Sequence, residues 1–183
     1  MKVFITGGTG FVGSTLTQKL AQEGHKVTVL TRRLKGHSAA LEGISFAEGD
    51  PTQKGSWQEK VGDQDVVINL AGASIFRRWS DTAKKLIWDS RIQTTQNLFE
   101  ALSARKGKET HLFSTSAVGY YGSHQNEVLD ESSPSGEGFL ADLSREWESA
   151  AMKAKDYGVH VILMRFGIVL GRRGGALQQM ITP

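Results

Sequence analysis

The chain contains no cysteine in its 183 residues. Disulfides, thiolate metal sites and cysteine nucleophiles are thereby excluded. It also lacks any apolar run approaching the span of a bilayer, and Met1-Lys2 leads directly into an apolar stretch. Neither a signal peptide nor a membrane anchor is expected, which leaves the cytoplasm as the default location. Charge of one sign is not concentrated. The net charge is +3, and the basic residues fall in scattered pairs, Arg32-Arg33, Arg77-Arg78, Lys84-Lys85 and Arg172-Arg173. A nucleic-acid binder gathers its cations into a stripe interleaved with aromatics, so no such partner is expected. The five histidines (His25, His37, His111, His124 and His160) lie far apart, with no i,i+4 pair or nearby carboxylate partner. No metal site is expected from them. A Gly-x-Ser-x-Gly elbow is also missing, which removes support for serine acyl transfer.

What remains has ordinary globular proportions, 39% hydrophobic and 22% charged. The length predicts one domain over residues 1–183 with a substantial core. The organising stretch is Lys2-Val-Phe-Ile-Thr-Gly-Gly-Thr-Gly-Phe-Val-Gly13. Val3, Phe4 and Ile5 form a wholly apolar run, the mark of a parallel strand buried on both faces. Gly7, Gly10 and Gly13 follow, and Val12, Leu16 and Leu20 then recur at helical spacing. Strand, glycine turn and helix describe a dinucleotide site, where the backbone approaches a pyrophosphate and free helix N–H groups favour its charge. The spacing is GxxGxxG, not the commoner GxGxxG, and its position between strand and helix is what gives it weight.

A second strand follows at residues 27–30, with Gly24 stopping the helix before it. A protein preferring NAD places a carboxylate after this strand, whereas the chain reads Leu30-Thr31-Arg32-Arg33. A guanidinium there binds a 2′-phosphate, so NADP is the expected cofactor; the bland alternative is two arginines on an exposed loop. After a polar connection at residues 36–43, a third strand at 44–47 closes in Glu48-Gly-Asp50-Pro51. Asp50 is either an adenine contact or a turn former before proline. Trp57 and Val61 sit on a short helix. A fourth strand at 65–70 ends in Ala71-Gly72-Ala73-Ser74, at the carboxyl edge where open α/β sheets bind ligands. Ser80 or Asp81 caps a long helix over residues 82–104, with Ile87, Arg91, Thr94 or Thr95, Leu98 and Leu102 facing inward, and Lys106-Gly-Lys108 ends it. A fifth strand begins at His111 and closes at Thr115-Ser116. Residues 124–138 read as a mobile loop over the crevice, and Phe139, Leu143, Trp147, Ala150 and Ala154 as an amphipathic helix. A sixth strand at 159–164 is extended through Leu170, before a flexible basic turn at 171–175. The fold class is thus α/β, a doubly wound, Rossmann-type parallel sheet with helices on both faces.

Several segments together resemble the short-chain dehydrogenase/reductase superfamily, in its extended branch of NAD(P)-dependent epimerases and dehydratases. They are Thr6-Gly-Gly-Thr-Gly-Phe-Val-Gly13, Asn69-Leu-Ala-Gly72, Phe113-Ser-Thr-Ser-Ala117 and Arg165-Phe-Gly-Ile-Val-Leu-Gly171. Ala117-Val-Gly-Tyr-Tyr-Gly122, Phe139-Leu-Ala-Asp142 with Trp147-Glu148, and Gly171-Arg-Arg-Gly-Gly-Ala176 resemble its epimerase-family subgroup, sometimes labelled cell-division inhibitors. The resemblance implies strand order 3-2-1-4-5-6, bound NADP and a smaller C-terminal substrate region beyond residue 183. The candidate cofactor contacts are Gly7, Thr9, Gly10, Phe11, Val12 and Gly13, then Arg32, Arg33, Asp50, Leu70, Ala71 and Gly72.

The departure from the family pattern matters most. Its enzymes carry Tyr-x-x-x-Lys after the fifth strand, the tyrosine handling a proton and the lysine lowering its pKa. Ser116 matches the family serine and Glu148 the helix glutamate, yet Leu140 stands at the tyrosine position and Ser144 at the lysine position. Tyr120 and Tyr121, just beyond Ser116, are the replacement candidates for catalysis; their bland alternative is rings packed under the loop. Two functions follow: an NADP-dependent oxidoreductase or epimerase acting on a small hydroxy or carbonyl compound, or a regulatory protein responsive to NADP(H). A homodimer through the long helix is the expected assembly.

Overall fold

Val3, Phe4 and Ile5 are at most 1% exposed. Parallel neighbours and helices on both faces produce that burial in the computed structural model, which describes residues 1–34, 42–105, 107–171 and 174–181. Residues 36–41 of the expected polar connection, Lys106 and the Arg172-Arg173 pair lie outside the described residues. Strand β1 (Lys2–Thr6) runs between β2 (Lys26–Thr31) and β4 (Val66–Asn69), with Val3 opposite Val27 and Ile5 opposite Ile68. With β3 (Ile44–Glu48), β5 (His111–Ala117) and β6 (His160–Phe166), the order is β3-β2-β1-β4-β5-β6, all parallel. This is the expected doubly wound order, in which ligands bind beyond the strands' carboxyl ends.

Alternation along β1 divides the core. Val3 and Ile5 pack with Val27, Val29 and Ile68 against Leu16 and Leu20 of α1 (Phe11–Gln22). Phe4 points the other way, to Val67, Leu98, Leu102 and Leu112, where α2 (Asp81–Ser103) covers the sheet. The Ser80 hydroxyl accepts the Ala83 N–H at 3.2 Å and so caps α2. Helix α3 (Phe139–Met152) lies beside α2, joining Leu143 and Trp147 to Ile87 and Ile92. Short 3-10 turns occupy Ser56–Lys60, Val118–Tyr121 and Lys153–Tyr157.

Three expectations need correction. The sixth strand does not extend through Leu170: it stops at Phe166, because its partner β5 ends with Ala117 opposite Phe166 and offers no further ladder. The following turn is a small antiparallel hairpin, β7 (Leu170–Gly171) with β8 (Gly174–Gly175), leading to a short α4 (Ala176–Ile181). Its glycines lie against Phe11, whose ring would come within 2.7–2.8 Å of a Cβ at Gly171, Gly174 or Gly175. Nor are the histidines isolated. His111 and His160 are strand partners with rings stacked at 4.9 Å, His160 lies 3.5 Å from Glu109, and His124 lies 2.6 Å from Glu127. Strand register made the first contact, which spacing along the chain could not reveal. Among the described residues no group of three or more potential ligands gathers for a metal. Residues 124–138 are irregular, as expected, and tied down: Gly136 N–H donates to Tyr120 O at 2.9 Å, and the Asp130 carboxylate accepts from Ser132 and Ser133.

Candidate functional site

The three glycines of the opening turn have different reasons to be glycine. Gly7 has φ +70°, and a Cβ there would lie 2.7 Å from the Leu70 carbonyl. A Cβ at Gly13 would lie 2.2 Å from Gly7 O, which no adjustment of side chains relieves. Both are therefore fixed by packing of strand, turn and helix. Gly10 is not. A Cβ there meets only Gly7 O, at 3.2 Å, and no side chain caps the helix that begins at this residue. The leading N–H groups of α1 consequently point outward without intrahelical acceptors, at the positive end of the helix dipole.

A crevice of about 470 Å³ opens there, with Gly7, Gly10, Phe11, Val12 and Gly13 on one wall. Leu70 and Gly72 face them, and Gly175 of the hairpin contributes to the rim. Ala71 is fixed by its N–H donating to Thr6 Oγ1 at 3.4 Å. Thr9 also lines a second hollow of about 760 Å³, between α1 and residues 169–171. Behind the crossing strands, buried Asn69 accepts from Thr6 Oγ1 at 2.8 Å and donates to Thr95 Oγ1 at 3.0 Å. That bonding sets where the Leu70–Gly72 backbone emerges.

Arg32 and Arg33 follow β2 and are exposed. Among the described residues neither guanidinium has a hydrogen bond or ion pair. The Thr31 hydroxyl donates to Arg33 O at 3.1 Å and shapes the backbone between them. Asp50 acts as a turn former: its Oδ1 accepts from the Thr52 N–H at 2.9 Å and the Thr52 hydroxyl at 2.8 Å. Its carboxylate is nevertheless exposed beyond β3.

Ser116 is 1% exposed, and its hydroxyl donates to Glu148 Oε1 at 2.6 Å. Arg165, opposite Ser116 in the β5–β6 register, holds the same carboxylate through Nε at 2.8 Å and Nη2 at 2.9 Å. Its Nη1 donates to the Tyr121 hydroxyl at 2.8 Å, and its guanidinium lies 3.6 Å from the centre of the Tyr120 ring. The hydrogen bonds to Glu148 raise the pKa of Arg165 above its ordinary value. The two tyrosines are thus brought to Ser116 through Arg165. At the family's tyrosine and lysine positions, Leu140 packs on Gly119 and Ser144 is buried. The Ser116–Glu148–Arg165 pairing was missed in the sequence. Its one available signal was an arginine and a glutamate in elements that flank the serine's strand.

Arg91 was also passed over as an inward-facing helix residue. Its guanidinium lies over Trp147 at 5.2 Å, and Nη1 donates to Ala73 O and Ile87 O, both at 3.1 Å. Burial pushes its pKa down to about 10. An arginine on an otherwise apolar stripe was the signal.

A parallel doubly wound sheet, with a glycine turn and an open helix N-terminus at its carboxyl edge, defines a Rossmann-type dinucleotide-binding protein. The chain belongs to the NAD dependent epimerase/dehydratase family, which it matches over residues 3–182. It is 42% identical over 184 residues to an Arabidopsis thaliana protein named as a chloroplastic homolog of epimerase family protein SDR39U1, covering 99% of this chain and 52% of the relative. An epimerase family protein of Staphylococcus haemolyticus is 41% identical over 185 residues, covering 100% of this chain and 60% of the relative. The crystal structure of human epimerase family protein SDR39U1 with NADPH superposes with TM-score 0.79 at 34% identity, covering 99% of this chain and 58% of that one. The chain therefore spans between half and three fifths of these relatives' lengths. No helix among the described residues is long and apolar enough to cross a membrane.

Proposed function

We propose that this chain binds NADP(H) along the Gly7–Gly13 turn and acts as an oxidoreductase or sugar-nucleotide-type epimerase on a small hydroxy or carbonyl compound. The observation that carries the reading is Gly10, the one glycine of the turn whose missing side chain leaves room toward the crevice and not toward the protein. The NADPH bound by the human relative supports the choice of cofactor. The outward N–H groups of α1 hold the pyrophosphate, and Arg32 and Arg33 grip the 2′-phosphate. Asp50 stands by the adenine, while Leu70, Ala71 and Gly72 form the opposite wall. When bound, the nicotinamide supplies the hydride.

The remaining work falls to the chain's own groups. Ser116 gives its hydrogen bond to Glu148, so toward a ligand it offers lone pairs and orients a hydroxyl by accepting from it. Tyr120 and Tyr121 flank that position through Arg165. In the same reading the protein is cytoplasmic and forms a homodimer across α2, with a further substrate-side segment completing the crevice. A second reading, an NADP(H)-responsive binding protein without turnover, is favoured by Leu140 and Ser144, which cannot perform the proton transfer of a tyrosine–lysine pair.

NADPH oxidation by the full-length protein, measured against aldehydes, ketones and quinones, separates the two. Turnover that collapses in Ser116→Ala supports the enzyme; tight NADPH binding with no turnover supports the binding protein. Failure to bind NADPH removes both.

A further inference from the structure

Arg91 is a buried cation for which the proposed activity has no use. Its causes for concern are electrostatic: most of its surface is removed from water, and among the described residues no carboxylate pairs with it. Only Nη1 is satisfied, by the Ala73 and Ile87 carbonyls. Nε and Nη2 have no acceptor among the described residues, and neither belongs to the atoms sealed from solvent. Tying two carbonyls together does not require a charge, since a neutral amide would do it. A desolvated charge without a partner is costly, so its retention calls for an anion that arrives from outside.

The location agrees. Gly72 lies against Arg91, the guanidinium carbon standing 3.0 Å from where a Cβ would be, and the same Gly72 lines the crevice opposite Gly10. Any side chain at residue 72 would displace the guanidinium. On its other side Trp147 fixes the plane of the fork. The cation is thereby held beside the wall that faces the opening turn, at a site distinct from the exposed Arg32-Arg33 pair.

We propose that Arg91 is an anion-recognising residue of the crevice, whose Nε and Nη2 take up a carboxylate or phosphate oxygen of the bound ligand. The inference deepens the nucleotide reading above and rests on it for the position of the crevice. Two sources carry this chemistry: the cofactor's own pyrophosphate, or an acidic group on the substrate.

The test observes the Nε–H resonance of Arg91 in the ¹⁵N-labelled full chain, assigned by its loss in Arg91→Lys. The probes are NADPH, inorganic pyrophosphate without nucleotide, and malonate added to the NADPH-saturated protein. A saturable shift with NADPH or pyrophosphate assigns the phosphate source. A shift that appears only with malonate assigns the substrate carboxylate. In either case Arg91→Met should weaken the active probe by about 10- to 100-fold, the worth of a charge-assisted hydrogen bond. A resonance unmoved by all three probes, while tryptophan emission reports bound NADPH, overturns the proposal and leaves Arg91 a tie between α2 and the loop. If NADPH fails to bind but pyrophosphate or malonate still shifts Arg91, the cofactor reading falls and the anion site stands. The wild-type spectra decide the question even if Arg91→Met does not fold.

Discussion

The Ser116 hydroxyl donates to Glu148 at 2.6 Å, and both oxygens of that carboxylate are held by Arg165. The pair is nearly enclosed, with side chains 9% and 18% exposed for Glu148 and Arg165. Arg165→Met strands a carboxylate in the interior and should destabilise the fold by about 3 kcal/mol in urea titration. Arg165→Met combined with Glu148→Gln should cost less than Arg165→Met alone, because the uncompensated charge is gone. A double variant worse than the single one would show that Arg165 stabilises through its aromatic contacts instead.

The turn glycines separate stability from binding. Gly13→Ala forces a Cβ onto Gly7 O and should cost roughly 3 kcal/mol, as overpacking against backbone does. Gly10→Ala should stay within about 1 kcal/mol of the parent, the scale of an N-cap change. Its NADPH affinity should nevertheless drop at least tenfold, roughly 1.4 kcal/mol. Thermal melts with NADPH titrations read both quantities, and a Gly10→Ala variant with parental affinity would contradict the placement of the pyrophosphate.

Arg32→Ala and Arg33→Ala address the choice of cofactor. Each should raise the NADPH dissociation constant by about 10- to 100-fold, the loss of a charge-assisted contact, while leaving NADH unaffected. Tryptophan emission supplies the signal, with four donors in the chain. Equal losses for both nucleotides would place the guanidinium groups away from the 2′-phosphate.

At acid pH the amino-terminal edge of the sheet should loosen first. Asp65 accepts from Lys108 Nζ at 2.8 Å and from the Lys2 N–H at 2.6 Å, and these bonds hold its pKa below the ordinary carboxylate value. A depressed carboxylate contributes stability above its unfolded pKa, about 3.9, and loses it as pH falls through the lower folded value. The melting temperature of Asp65→Asn should therefore lie below the parent's at pH 6 and converge with it below pH 3. Parallel curves at all pH values would remove Asp65 from the acid response.

Sequence patterns specified what local chemistry controls. The apolar run at Val3–Ile5, the glycine turn and the helical recurrence of Leu16 and Leu20 predicted the first βαβ unit, and Ser80 caps α2 as its side chain implies. Contacts set by packing were not visible. His111 and His160 meet through register, and Glu148 meets Arg165 because α3 crosses the sheet beside β6. The end of β6 depended on where β5 stopped, a property of the partner strand. For Asp50 the residues left two readings, and the structure shows the turn it makes without excluding a contact beyond it.

Phe11 has two duties that meet in one residue. Its backbone opens the first helix, while its ring lies beneath the glycines of the late hairpin. A bulky substitution at Gly171, Gly174 or Gly175 would lever that ring and tilt the phosphate cradle from the far end of the sequence. Errors in the tail would thus be felt first as a weakened grip on nucleotide, well before the sheet itself gives way.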